Sequence, residues 1–266
     1  MFAMTVGPLR DVLTAALGFL TGMASALFGV GGAIVSTPGI RALGVSALLA
    51  IGTTLPSIIP GAASGTYRYA RQHLIEWRVV IIAGSVGAGI SVVGALVTKH
   101  VPGHGHIQQI LTASLLGYVA SNMLRALRNS RKATKVGEVS TSTTMSTPVI
   151  AAIGAFTGFL SGFLGIGGGV FMVSGFMQFG RLTIKRAIAT SLACVCIFAI
   201  PSTITHWTEG GIDWRTALWL TAMVIPGSLV GTKITSKAND AILQAAVAIF
   251  IALVAVVYFA SEVLAL

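Results

Sequence analysis

The sequence repeats one glycine-rich stretch in its two halves. Residues 21–33 read TGMASALFGVGGA, and residues 157–169 read TGFLSGFLGIGGG. Both copies lie inside long uncharged runs. Each glycine costs about 1 kcal/mol relative to alanine in a helix, so three or four together favour a helix break. Inside a bilayer, a break leaves backbone groups unpaired, and it is tolerated only where it lines a cavity or contacts other protein.

The repeat extends well beyond the glycines. Residues 51–55 match residues 188–192, and residues 75–78 match residues 212–215, both at an offset of 188 − 51 = 137. The chain is therefore predicted to be a tandem duplication. Its parts are a first four-span repeat over residues 1–128, a basic Ser/Thr-rich linker over residues 129–147, and a second four-span repeat over residues 148–266.

The composition predicts an integral membrane protein. Of 266 residues, 55% are hydrophobic and only 9% are charged, whereas soluble domains carry about 25% charged residues. The fold predicted is all-α and polytopic, with about eight spans in two tandem four-helix repeats and a broken first helix in each repeat. Spans of at least about 17 residues fit the uncharged runs Val12–Ile40, Ala42–Tyr67, Val79–Thr98, Ile107–Leu124, Val139–Gly180, Ala187–Thr205, Thr216–Thr232 and Ala241–Ser261.

The relative direction of the two halves stays open at this point. An even number of spans in each repeat would make both halves cross the membrane in the same direction. If one segment in each half were only re-entrant, the halves would be inverted instead.

The net charge of +10 is interpreted as an orientation signal. No aromatic and basic surface segment accompanies it, so no nucleic acid is expected as a partner. The linker is rich in Arg and Lys, which indicates a cytoplasmic loop. With eight spans, both termini would lie on the same side as the linker, in the cytoplasm.

The two glycine clusters form the candidate substrate site. A helix that restarts after a break aims free amides and the positive end of its dipole at the bilayer centre, which suits an anion. Close helix packing is the alternative explanation for small residues, and the pairs Gly18/Gly22 and Gly154/Gly158 have that spacing. The candidate residues are Gly29, Gly31, Gly32, Ala33, Gly165, Gly167, Gly168 and Gly169.

Hydroxyls and two arginines complete the candidate site. Thr53 and Thr54 recur as Thr190 and Ser191, and hydroxyls can donate to an anion without the cost of burying a charge. They can equally bond to carbonyls of their own helix. Arg41 and Arg186 are candidates for attracting anions, with snorkelling and orientation as the alternative roles.

No enzyme chemistry is expected from this sequence. No acidic residue falls in the middle of a predicted span, and no activated nucleophile or paired acid and base is visible. Cys194 and Cys196 cannot complete a four-ligand zinc site by themselves. Neither a metal nor a cofactor is therefore expected.

The doubled glycine break, the hydroxyl pairs after it and the four-plus-four layout resemble the sulfite exporter TauE/SafE family over roughly residues 12–262. The resemblance implies a multi-pass permease of the bacterial inner membrane for a small sulfur-containing anion such as sulfite, a sulfonate or sulfoacetate. It also implies that the glycine clusters and the four hydroxyl residues face the substrate. The first cluster departs from the pattern because it ends in Ala33, so the half-sites are expected to be unequal.

The function expected is export by alternating access. The expected partners are the anion and the lipid bilayer, and a homodimer is one conceivable assembly. The alternatives are an anion channel, a permease for another small organic anion, and a membrane scaffold that docks through its basic linker.

Overall fold

The computed structural model describes residues 7–98, 106–132, 145–165, 167–208 and 210–263. Most of the predicted linker, residues 133–144, lies outside these ranges. All regular secondary structure in the described residues is helical. The helices are α1 (Pro8–Phe28), α2 (Ala33–Ala42), α3 (Ala47–Arg71), α4 (Trp77–Thr98), α5 (His106–Lys132), α6 (Thr147–Leu164), α7 (Gly169–Gln178), α8 (Ile184–Thr208), α9 (Trp214–Lys237) and α10 (Asp240–Val263).

Six of the described helices are long and apolar enough to cross a membrane, namely α1, α4, α6, α8, α9 and α10. The all-helical membrane fold is thus confirmed, while the count of eight spans stays a prediction. Helices α2 and α7 have 10 residues each. At 1.5 Å per residue they are about 15 Å long, too short to cross a bilayer alone.

The matching helices of the two halves run in opposite directions. The Thr53 hydroxyl, near the start of α3, accepts a hydrogen bond from the Asp213 amide just before α9, at 2.9 Å. The Thr190 hydroxyl, near the start of α8, accepts one from the Glu76 amide just before α4, at 3.1 Å. Asp213 follows the end of α8, so the start of α3 lies near the end of α8. Glu76 follows the end of α3, so the start of α8 lies near the end of α3. Helices α3 and α8 are therefore antiparallel.

Two opposite faces of the bundle follow from these contacts. Face 1 carries Arg10 and Asp213, whose side chains pair at 3.4 Å, and it is where α1, α3 and α9 begin. Face 2 carries Glu76 and is where α4, α6 and α8 begin. There Arg78 donates to the hydroxyl of Thr147, at the start of α6, at 3.1 Å.

The glycine break and α2 carry the chain back across the bundle. Both α1 and α3 run from face 1 to face 2, and near their ends the Tyr69 hydroxyl donates to the Ala26 carbonyl at 2.6 Å. The chain between them must therefore return to face 1. Because α3 and α8 are antiparallel, the second half is inverted relative to the first.

The N-terminal end of α1 and the start of α6 lie on opposite faces of the bundle, at Arg10 and Thr147. The physical reason is that the uncharged run from Val12 to Ile40 contains a full-length helix and a short returning helix, rather than one broken span. The side of the membrane on which the termini lie stays a prediction.

Glycines let two helix pairs pack backbone to backbone. A Cβ on Gly18 would lie 2.6 Å from the Leu220 carbonyl oxygen, and one on Gly22 would lie 2.1 Å from that of Val224. Helix α1 thus packs on α9 of the other half, as small residues at four-residue spacing permit. Helices α4 and α6 pack in the same way at Gly154, Gly158 and Gly162.

We expect Gly87→Ala to destabilise the protein and Gly89→Ala to leave it unchanged or slightly more stable. Both glycines are in α4, but a Cβ on Gly87 would lie 2.3 Å from a Phe198 ring carbon, whereas one on Gly89 meets no atom within 4 Å. At Gly87, overpacking of this kind costs roughly 1–3 kcal/mol of stability. At Gly89 there is room for the methyl group, and alanine has a higher helix propensity than glycine. Thermal unfolding of the purified variants measures this; equal melting temperatures would contradict the close packing.

Candidate functional site

Both breaks begin with a glycine in the left-handed region. Gly29 has φ 70° and ψ 22°, and its amide donates to the Ser25 carbonyl at 2.8 Å. Gly165 has φ 65° and ψ 17°, and its amide donates to the Ser161 carbonyl at 3.0 Å. Residues with a Cβ disfavour this conformation, so glycine ends α1 and α6 at equivalent positions. The described residues between each of these glycines and the start of α2 or α7 are non-helical.

The two breaks lie against each other inside the protein. A Cβ on Gly31 would lie 3.7 Å from the Gly167 Cα, and both glycines pack on Val195, near the middle of α8. A Cβ on Gly169 would lie only 2.2 Å from the Gly29 carbonyl oxygen. We call residues 29–33, 165 and 167–169 the glycine crossing. Every residue in it is buried.

Helices α2 and α7 leave the glycine crossing in opposite directions. Helix α2 leads to the start of α3 on face 1, whereas α7 leads to Gly180, which packs on Met145 just before α6 on face 2. Their N-terminal ends therefore face each other. The amides of Gly32, Ala33, Gly168 and Gly169 donate to no other described residue. Such first-turn amides carry a positive partial charge and can bind an anion.

Ser191 connects the two breaks directly. Its hydroxyl lies 2.8 Å from the Gly29 carbonyl oxygen and 3.1 Å from that of Gly169. Its counterpart Thr54 instead donates to the carbonyl of Ile51, in its own helix, at 3.0 Å. Thr54 also lies 3.4 Å from the Thr37 hydroxyl on α2. The two halves of the crossing therefore differ in their hydrogen bonding.

Thr53 and Thr190 occupy different places from Thr54 and Ser191. Each is fully buried and accepts a hydrogen bond from a backbone amide of the opposite half, near face 1 and near face 2 respectively. These contacts tie the halves together at the two ends of the bundle. The structure thus brings the Ser191 hydroxyl into the crossing and Thr54 beside α2, whereas the Thr53 and Thr190 hydroxyls bind amides outside the crossing.

Two further buried hydroxyls adjoin the breaks. Thr21 and Ser161 are 2% and 0% exposed, and neither hydroxyl oxygen has a hydrogen-bond partner among the described residues. The Thr21 methyl carbon would lie 2.8 Å from a Cβ on Gly32, and Ser161 precedes Gly165 by one helical turn. Neither residue was predicted from the sequence as part of the site. Their polarity inside a repeated apolar run is the signal that identifies them.

Arg41 is a buried cation at the end of α2. It is only 7% exposed, and the Tyr258 side chain on α10 lies near both Arg41 and Thr37. Polar groups therefore extend from the crossing along α2 toward face 1. The corresponding positions on α7, at an offset of 136, are the apolar residues Val173 and Met177. At these two positions the polar side chains are therefore present only in the first half.

Arg186 has a different environment from Arg41. Its guanidinium forms an ion pair with the Glu76 carboxylate on face 2, where the two side chains are 41% and 37% exposed. It shares this face with Thr190 but lies apart from the crossing. Only one of the two arginines singled out from the sequence, Arg41, is therefore buried on the path that leads to the breaks.

Comparisons with known proteins agree with a transport function. The model of a family described as sulfite exporter TauE/SafE matches residues 14–258. The chain is 29% identical to the probable membrane transporter protein YdhB of Bacillus subtilis over 198 residues, which cover 74% of this chain and 79% of that protein. No solved structure matches the chain.

Two further relatives carry similar names. The probable membrane transporter protein YunE of Bacillus subtilis is 28% identical over 246 residues, covering 86% of this chain and 88% of the relative. A probable membrane transporter protein of Xylella fastidiosa is 28% identical over 228 residues, covering 85% of each chain. The similarity therefore spans most of the sequence rather than one motif.

Proposed function

This chain belongs to the sulfite exporter TauE/SafE family, and from that premise we propose that it exports a small sulfur-containing anion, such as sulfite, a sulfonate or sulfoacetate, across the bacterial inner membrane. The observation that carries the proposal is the glycine crossing. It brings together two helix N-termini whose amides have no acceptor in the described part of the chain. Half-helices with this arrangement suit anionic groups in transporters.

The charge of the substrate is balanced here mainly by dipoles. Backbone amides at two helix starts, the hydroxyls of Thr21 and Ser161, and Arg41 farther along α2 are the groups that would stabilise it. Such dipoles need no ionisable carboxylate at mid-membrane, so a separate cation site is not part of the proposal. The sulfur oxyanion or sulfonate group would accept hydrogen bonds from the crossing amides.

The contact between the breaks favours a carrier over a channel. Gly169 lies against the Gly29 carbonyl with no room for even a methyl group, so the crossing is closed by backbone contact in this conformation. The halves must move relative to each other to admit an anion. We propose that the inverted halves rock about the crossing and expose it alternately to face 1 and face 2.

We propose further that face 2 is cytoplasmic. Apart from α5 and the linker, the described basic residues number eight on face 2 and three on face 1. Helix α5 begins eight residues after α4 ends on face 1, and its 27 residues span about 40 Å, so its basic end reaches face 2. Positive residues accumulate on the cytoplasmic side. The face 2 set is Arg68, Arg71, Arg78, Arg181, Lys185, Arg186, Lys233 and Lys237, and the face 1 set is Arg10, Arg41 and Arg215.

Cysteine labelling tests this orientation. We expect a membrane-impermeant maleimide added to intact cells to label Thr208→Cys, which is exposed on face 1, but not Gln72→Cys, which is exposed on face 2. Both substitutions are made with Cys194 and Cys196 replaced by Ala. Labelling of Gln72→Cys alone would reverse the proposed orientation.

Flux in proteoliposomes tests the function itself. We expect saturable transport of at least one labelled compound among sulfite, thiosulfate, sulfoacetate, taurine and sulfate. Efflux of an anion should increase with an inside-negative potential, because the field contributes about 2.3 kcal/mol per charge per 100 mV. Thermal-shift screening of the same compounds identifies the one that stabilises the protein. A transport rate that does not change with the clamped potential would contradict uncoupled anion export. Single-channel currents would instead indicate an anion channel.

A further inference from the structure

A groove between α3 and α9 opens on face 2. It has a volume of about 750 Å³ and is lined by three basic residues, Arg68, Lys233 and Lys237, together with the apolar residues Val230 and Ile234. Val230 and Ile234 are 40% and 46% exposed. The groove thus combines cations at its rim with an apolar wall on the outer surface of a membrane protein.

The three cations are not used by the fold as ion pairs. No carboxylate of the described residues lies within ion-pair distance of them. The Arg68 guanidinium donates to the carbonyl of Leu229 at 3.0 Å, which fixes it across the groove. Lys233 and Lys237 are both exposed, one helical turn apart on α9. Their charges are therefore free to meet an anionic group from outside the protein.

The inverted repeat supplies an internal comparison. At an offset of 137, the equivalents of Arg68 and Lys233 are Thr205 and Leu96, while those of Val230 and Ile234 are Val93 and Val97. The apolar wall is thus present in both halves, but these two cations occur only in the groove on face 2. The architecture does not require them.

We propose that this groove binds an anionic phospholipid, with its phosphate between the basic side chains and an acyl chain along Val230 and Ile234. A membrane phospholipid is the occupant that matches both the charge and the apolar wall, and basic pockets between helices near the cytoplasmic surface bind such headgroups. The binding itself does not depend on the proposed transport function. The proposed orientation adds only that the lipid comes from the inner leaflet.

Lipid binding to the purified full chain tests this proposal. Native mass spectrometry measures the affinity for phosphatidylglycerol and phosphatidylcholine in wild type and in Lys233→Gln/Lys237→Gln, with Arg71→Gln/Arg78→Gln as the control that removes two charges from the same face. We expect wild type to prefer phosphatidylglycerol, and the groove variant to lose that preference by about tenfold or more. The control variant should keep it.

The outcomes are distinct from those of the transport assay. Equal losses in the groove and control variants would indicate general surface attraction and overturn the site. Displacement of phosphatidylglycerol by equimolar glycerol 3-phosphate would show that the groove binds a soluble phosphate and overturn the lipid assignment. Melting temperatures in phosphatidylcholine establish that each variant is folded, and transport can fail or succeed without altering these results.

Discussion

Replacement of Gly169 by Ala is expected to reduce anion transport at least tenfold. The added methyl carbon would lie 2.2 Å from the Gly29 carbonyl oxygen and 2.8 and 2.9 Å from backbone atoms of Val30. Backbone atoms cannot rotate away as a side chain end can, so the two breaks must separate. That separation displaces the amides that would bind the anion, and displacements of about 1 Å can cost a hundredfold in rate.

The sequence offers a matched control at the equivalent position. Ala33→Gly removes one methyl group from the other break, where Ala33 is fully buried. We expect it to cost about 1 kcal/mol of stability and to change transport less than twofold. Initial flux per folded protein, with melting temperatures for both variants, makes the comparison. Equal flux in the Gly169→Ala variant and wild type would show that the contact at the crossing is unimportant for transport.

Arg41→Gln is the second change with a large expected effect, again a loss of at least tenfold in kcat/KM. Arg41 is buried beside Tyr258 at the end of α2, and its charge acts through a low-dielectric interior along the polar path to the crossing. Arg41→Lys keeps the charge and should retain part of the activity. Arg186→Gln should change kcat/KM less than twofold, because Arg186 is paired with Glu76 at the surface.

The same assay separates a transport role from a structural one for Arg41. If its charge attracts the anion, the loss falls mainly on KM, and it changes little with ionic strength because salt screens a buried charge much less than an exposed one. A lowered melting temperature together with an unchanged KM in the folded fraction would instead assign Arg41 to packing alone.

The breaks could be predicted from the sequence because glycine clusters have a large local cost in a helix. The direction of the halves could not. One uncharged run contains both α1 and α2, and hydrophobicity does not record where a chain turns back. Glycine spacing at residues 18 and 22 predicted close packing but could not identify α9 as the partner helix, since no local pattern encodes a contact about 200 residues away.

The candidate site could be predicted only in part, because the sequence does not specify which residues meet in the folded chain. The glycine residues of both clusters come together, as a repeat with a twofold relation requires. Thr53 and Thr190 have the same residue pattern as Thr54 and Ser191, yet their hydroxyls accept hydrogen bonds from backbone amides of the opposite half. Arg186 pairs with a carboxylate 110 residues away along the chain. Which group lies opposite a side chain depends on tertiary contacts that composition and spacing do not specify.

The most direct test is to locate the bound anion. Crystals of the protein with selenate or a bromine-labelled alkanesulfonate allow the heavy atom to be found by anomalous scattering. We predict a peak at the glycine crossing, with the anionic oxygens within hydrogen-bond distance of the amides of Ala33 or Gly169. The compound used must itself be transported and must compete with the substrate. If its anomalous peak lies only at another place in the protein, the proposed anion site is wrong.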